Sequence, residues 1–163
     1  MAPPRARVSP HSRGLQLREV ICNLLDDQRT KDAALKSVDV KKIVTTMDSN
    51  IRTPVIYVQL LQKPISHPTT LGRRRVNYKE VWVVRIVYIH SRIEKDATDE
   101  LVLAMDVLSE FFERNSGLNG FANMGLQIFD NEITTFLDGR HMYNAVKMDM
   151  YIAAARKRDR GQT

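Results

Sequence analysis

The sequence predicts an α+β fold, a mostly antiparallel sheet of four to five strands packed by one long helix and an N-terminal helix. Three stretches carry that expectation. The first is Tyr78-Lys79-Glu80-Val81-Trp82-Val83-Val84-Arg85-Ile86-Val87-Tyr88-Ile89, dense in the β-branched and aromatic residues that fit a pleated surface. Tyr78, Trp82, Val84, Ile86 and Tyr88 fall on one face; Val81, Val83, Val87 and Ile89 fall on the other, interrupted by Arg85. Two mostly apolar faces are the pattern of a central strand covered on both sides. In the second stretch the period changes. From Asp96 onward, Leu101, Ala104, Met105, Leu108 and Phe112 recur three or four residues apart, as on one face of a helix. The third is the closing strand, with Met142, Val146, Met148, Met150 and Ile152 on one side and Tyr143, Lys147, Asp149 and Tyr151 on the other.

Taken in order, residues 1–12 hold three of the six prolines and no periodic pattern, and read as a flexible basic arm. Ser12 is a cap candidate for a helix whose stripe is Leu15, Leu17, Val20, Ile21, Leu24 and Leu25. Val38, Val40, Ile43 and Val44 fit either a short helix or a strand, and Asp48-Ser49-Asn50 reads as a turn. The run from Thr53 to Leu61 is a strand with Pro54 at its start, since proline cannot donate to a ladder. Lys63 to Arg75 contains Pro64, Pro68, Gly72 and three arginines, and reads as a long loop of about a dozen residues, a length that suggests a use. Asp96 is placed to cap the long helix, with Asp99 and Glu100 in its first turn, and Asn115-Ser116-Gly117 to end it. Ser116 to Gly120 is a bend. Met124 to Phe129 and Glu132 to Leu137 form two short strands around a turn at Asp130-Asn131, and Asp138-Gly139-Arg140 is a further turn. A single domain over 13–155 follows, with a basic tail over 156–163.

Hydrophobic residues make up 43% of the 163, enough for a substantial core. No apolar run approaches the roughly 20 residues of a membrane span. No apolar stretch follows Met1 to Arg7 as a signal peptide requires, so the chain is expected in a reducing cytoplasm. The lone cysteine, Cys22, has no internal disulfide partner and reads as a buried, inert thiol.

The search for chemistry is largely negative. His11, His67, His90 and His141 have no metal-ligand spacing, and there is no phosphate loop, dinucleotide fingerprint or nucleophile elbow. Gly117, Gly120 and Gly125 read as turn residues. Glu94, Asp96, Asp99 and Glu100 gather where acid–base work or metal binding is conceivable, but helix electrostatics explains them more simply. His90 reads as a residue at a sheet edge. No catalytic, cofactor-binding or metal-binding residue is assigned, and no cofactor is expected.

Association is what remains. The net charge of +6 is concentrated in Arg73, Arg74 and Arg75, in Arg156, Lys157 and Arg158, and near the front of the chain. Such clusters meet nucleic acid or acidic protein surfaces, although solvated loops and tails give the same pattern. A nucleic-acid-binding module is the alternative function on this charge. It lacks the aromatic platform of single-strand binders and a recognisable reading helix.

Several pieces together carry a resemblance: the helix from Leu15 to Leu25, the strand Thr53-Pro54-Val55-Ile56-Tyr57-Val58, the loop before the strand from Val81 to Ile89, the helix ending in Phe111-Phe112, Ser116-Gly117-Leu118-Asn119-Gly120, and the closing strand from Ala145 to Ile152. In this order of elements, over Leu15 to Ala155, the chain resembles the tail-terminator (tail-completion) proteins of long-tailed bacteriophages, a family with no sharp motif. The resemblance implies a structural virion protein of the tail or neck, assembled in the host cytoplasm. It implies a homo-oligomeric ring, typically a hexamer, that caps the tail tube, stops its polymerisation and joins the head–tail connector. Its partners are then other copies, the tail tube protein and the connector, with DNA in the lumen, and no membrane, cofactor or catalysis. Contact of Arg73, Arg74, Arg75, Arg156, Lys157 and Arg158 with a neighbouring ring or lumenal DNA is an inference from charge.

Overall fold

The computed structural model describes residues 12–47, 52–61, 65–71, 75–93, 96–139 and 141–159, with side chains except at 65–71, 75–78, 92 and 156–159. Helix α1 (Arg13–Gln28) and the short α2 (Ala33–Ser37) lead into strands β1 (Lys42–Val44), β2 (Val55–Leu60), β3 (Ile65–Leu71) and β4 (Arg75–Arg92). Helix α3 (Thr98–Arg114), a 3-10 turn, and strands β5 (Leu126–Asp138) and β6 (His141–Asp159) complete the fold. The segment left open between helix and strand contains both, α2 and β1. The arm over 1–11, the turn at 48–50 and the last residues, 160–163, lie outside the described residues.

The fold is α+β. Five strands follow the order β1-β2-β4-β6-β5, all antiparallel except the β1–β2 pair. β3 also pairs with β4, off this path. β2 meets β4 from Val84 to Ile89, and β3 meets it from Val76 to Val81, so the two lie end to end along one edge. The long loop expected from Lys63 to Arg75 is therefore largely strand. Pro64 and Pro68 argued against one, but an edge tolerates a proline, and the register shifts between Pro68 and Thr70.

Both long helices cover one face of the sheet. Ser12 caps α1, its hydroxyl accepting from the Leu15 amide at 3.4 Å. Leu17, Ile21 and Leu25 of α1, and Leu101, Ala104, Leu108 and Phe112 of α3, meet Trp82, Val84, Ile86 and Tyr88 of β4 and Val146, Met148, Met150 and Ile152 of β6 in one core. Each large side chain buried there contributes roughly 1.5–3 kcal/mol. A Cβ on Gly14 would stand 3.1 Å from the Trp82 ring and 3.3 Å from Leu60, so glycine lets the start of α1 lie close to the sheet. Arg13 holds the same contact from the side, 3.3 Å from Glu80 and over the Phe121 ring at 4.3 Å.

Among the described residues, the other face is covered only at one end. Val44, Val55, Val87, Ile89 and Ala145 are buried there, with Met47, Tyr57, Phe136 and Tyr143 against them. Val81, Val83 and Arg85 are half-exposed, so this side of β4 is not covered along its length as its apolar sequence suggested.

Three local expectations are corrected. No hairpin forms at Asp130-Asn131: β5 runs through it, with a register shift between Ile128 and Asp130 that leaves Phe129 unpaired. The turn joins β5 to β6 at Asp138 and His141, with Gly139 at a φ of 56°. Asp96 stands one residue before the α3 cap position, which is Ala97, and accepts from the Thr98 amide at 3.2 Å and the Thr98 hydroxyl at 2.8 Å. Finally, β6 continues to Asp159, so Arg156, Lys157 and Arg158 belong to a strand and not to a tail.

Candidate interaction surface

Alternation along β4, β5 and β6 builds the open face. At its centre Arg85 and Asp149 are register partners, and the guanidinium grips the carboxylate through Nε at 2.8 Å and Nη2 at 3.0 Å. That pairing raises the Arg85 pKa above its ordinary value. Lys147 lies beside it, 2.9 Å from Glu132 and 3.3 Å from Asp130, and these two carboxylates raise its pKa. Farther along, Phe129 and Tyr151 stack with ring centroids 4.2 Å apart, yet are 45% and 43% exposed. Tyr151 also borders a groove of about 420 Å³ with Val81, Met124, Gln127 and Ala153. Two stacked aromatics left in water beside half-exposed valines form an apolar patch of the kind proteins use for association.

The outer edge of β5 is unpaired among the described residues. Its backbone donors and acceptors are a template for another chain, and Ile133 and Leu137 are exposed along it.

The basic clusters converge. Arg75 pairs in register with Asp159, Val76 with Arg158, Asn77 with Lys157 and Tyr78 with Arg156. Two runs far apart in sequence thus meet at one end of the β4–β6 ribbon. Asn123 anchors its base, donating to the Ala155 carbonyl at 3.1 Å and accepting from the Ala155 amide at 2.6 Å. Arg73 and Arg74 lie outside the described residues.

The residues weighed for chemistry take other roles. His90 is not at a sheet edge; it belongs to central β4, stacked on Tyr88 at 5.9 Å. The Tyr88 hydroxyl lies 3.0 Å from the Val38 carbonyl and 3.2 Å from His90 Nδ1. A carbonyl can only accept, so the phenol donates to Val38 and receives the Nδ1 proton of His90. Burial raises the Tyr88 pKa. The Thr98 hydroxyl and amide hold the Asp96 carboxyl below its usual value. Asp99 and Glu100 are exposed in the first turn of α3, and Glu94 lies outside the described residues. Among the described residues, no three His, Cys, Asp or Glu side chains are grouped to hold a metal ion. No helix is long and apolar enough to cross a membrane among those residues. Cys22 is half-buried beside Thr45, and burial pushes its thiol up to about 11.

Sequence reading flagged Tyr151 on a strand face open to water or a partner, but not its stacking with Phe129, because the register shift in β5 that frees Phe129 has no local signal. It also passed over the outer face of α3, where Asp99, Val102, Leu103, Asp106, Glu110 and Glu113 are all exposed. Of the acidic residues there, Asp99 fits ordinary helix-start electrostatics, and Asp106, Glu110 and Glu113 carry no signal of their own in the sequence. No protein-family model and no curated protein matches the chain.

Proposed function

We propose that this protein is a ring-forming structural subunit of the tail-terminator kind, which caps a phage tail tube, ends its polymerisation and offers a surface to the head–tail connector. The single observation that carries this reading is the one-sided sheet. Helices cover one face, while the other keeps a stacked aromatic pair and half-exposed valines in water. Removing such a patch from water is the driving force for association. The long edge of β5, unpaired among the described residues, adds a second means of joining copies. The order of elements that resembles the terminators supplies the particular assembly.

Light scattering over a concentration series, with and without tail tubes, tests it. A discrete multiple of the chain mass is expected. A monomer at every concentration, with tubes present, contradicts the proposal.

The convergence of Arg75 with Arg156, Lys157 and Arg158 favours a second reading, nucleic-acid binding at the ribbon end. Phosphate contacts require affinity to fall steeply with salt. DNA retention that falls in this way, and is lost on replacing these residues with Ser, supports it; no retention at low salt rejects it.

A further inference from the structure

We propose that the outer face of α3 receives the basic end of the β4–β6 ribbon from a second copy of this chain, a head-to-tail contact that rests on the ring-subunit reading. Val102 and Leu103 are 40% and 43% exposed on this face, too open for core residues. Asp99 and Asp106 flank them one turn away on either side, with Glu110 and Glu113 beyond. Glu110 has a weak local partner, Arg114 at 4.0 Å, whereas Asp99, Asp106 and Glu113 make no ion pair with a described residue. An apolar centre with a carboxylate rim suits long basic side chains, whose stems cover apolar surface while their heads meet acids.

The ribbon end is the complementary piece. Arg75, Lys79, Arg156, Lys157 and Arg158 occupy neighbouring register positions there, against Glu80 and Asp159. Crowded like charges repel, and an acidic surface relieves them.

The same molecule cannot join its own two patches. The ribbon end lies at Arg75, whereas α3 begins beyond Arg92, at the other end of β4. From there α3 runs back over the sheet with its buried side down, so its outer face looks away from the sheet that the ribbon end continues. A second copy supplies what the first cannot reach. Because the two patches differ, the contact is heterologous and repeats from copy to copy, which is how rings arise.

Charge reversal in full-length chains tests this. One variant carries Asp99→Lys and Asp106→Lys; the other carries Arg156→Glu and Arg158→Glu. Each alone is expected to associate roughly tenfold or more weakly than the parent. Mixed in equal amounts they should recover the parent's mass by light scattering, because each supplies the surface the other has lost. Circular dichroism checks that both fold, and Asp99→Asn with Asp106→Asn serves as the milder variant, expected to weaken association in the same direction. Variants that assemble like the parent, or a mixture that stays dissociated, overturn the α3 contact while leaving the ring reading intact. A parent that never associates overturns both. Loss of association by the α3 variant alone points to another basic partner on this helix and also overturns the proposal.

Discussion

Replacing Arg85 with Met should destabilise the protein more than replacing Asp149 with Leu, although both break the same ion pair. The asymmetry comes from burial. The Asp149 side chain is only 7% exposed and the Arg85 side chain 31%. Without Arg85, the Asp149 carboxylate is left without its cation in a largely dry site, facing Asp130 across the strands. Stranding a buried charge costs about 3–5 kcal/mol, and partial access to water sets the expectation near the lower end, about 3 kcal/mol. Methionine keeps the stem's packing, so the loss reports the charge. Without Asp149, Arg85 turns its half-exposed side chain to solvent, at about 1–2 kcal/mol. The double variant, Arg85→Met with Asp149→Leu, strands nothing and should lie close to the parent. Urea midpoints of the four proteins give the cycle, with an expected coupling of at least about 1.5 kcal/mol. Equal losses for the two single variants, or a double variant as unstable as their sum, would refute the reasoning.

Further outcomes follow from the same structure. Trp82→Ala and Leu108→Ala each empty a filled core site and should cost about 3 kcal/mol or more in a chemical melt; no loss in either rejects the packing of helices on this face. Tyr88→Phe leaves the Val38 carbonyl and His90 Nδ1 without their shared partner, at about 1–3 kcal/mol, and an unchanged melt removes that hydrogen-bond assignment. The Asp32 carboxylate is held below its usual pKa, first by the Leu35 amide that it accepts and then by Arg114. A lowered carboxylate stabilises the fold above its unfolded value of about 4, and that share is lost as pH falls through the folded value. Asp32→Asn should therefore flatten the acid side of the stability profile, measured by urea midpoints down to about pH 2; an unchanged slope contradicts this. With its thiol pushed up to about 11, Cys22 should react with a thiol reagent at neutral pH far more slowly than a free cysteine, until denaturant exposes it. Equal rates would show that its burial is not felt.

The main architecture was legible because its signals are local and redundant. The β-branched run of β4, the three-and-four spacing of α3 and the alternation of β6 each specify an element without reference to the others. Ser12 was readable as a cap because its hydroxyl serves a backbone amide three residues away. Where the reading stopped, a tertiary partner decided the outcome. β3 is a strand because β4 extends far enough to pair it, overriding Pro68 within it. Asp130 and Asn131 stay extended because β6 runs alongside them, overriding their preference for turns. β1 exists as a parallel neighbour of β2, a pairing that three residues cannot announce by themselves. For the candidate surface, charge was visible in the sequence but juxtaposition was not. Only the β4–β6 register brings Arg75 to the level of Arg156, Lys157 and Arg158, and Val81, Val83 and Tyr151 stand on an open face because no described helix covers them.

The measurement closest to the central claim is an electron micrograph of purified protein mixed with tail tubes. The account predicts closed rings of uniform diameter, free in the field and seated on tube ends that have ceased to grow. Tubes that lengthen unchecked among scattered single subunits would contradict it.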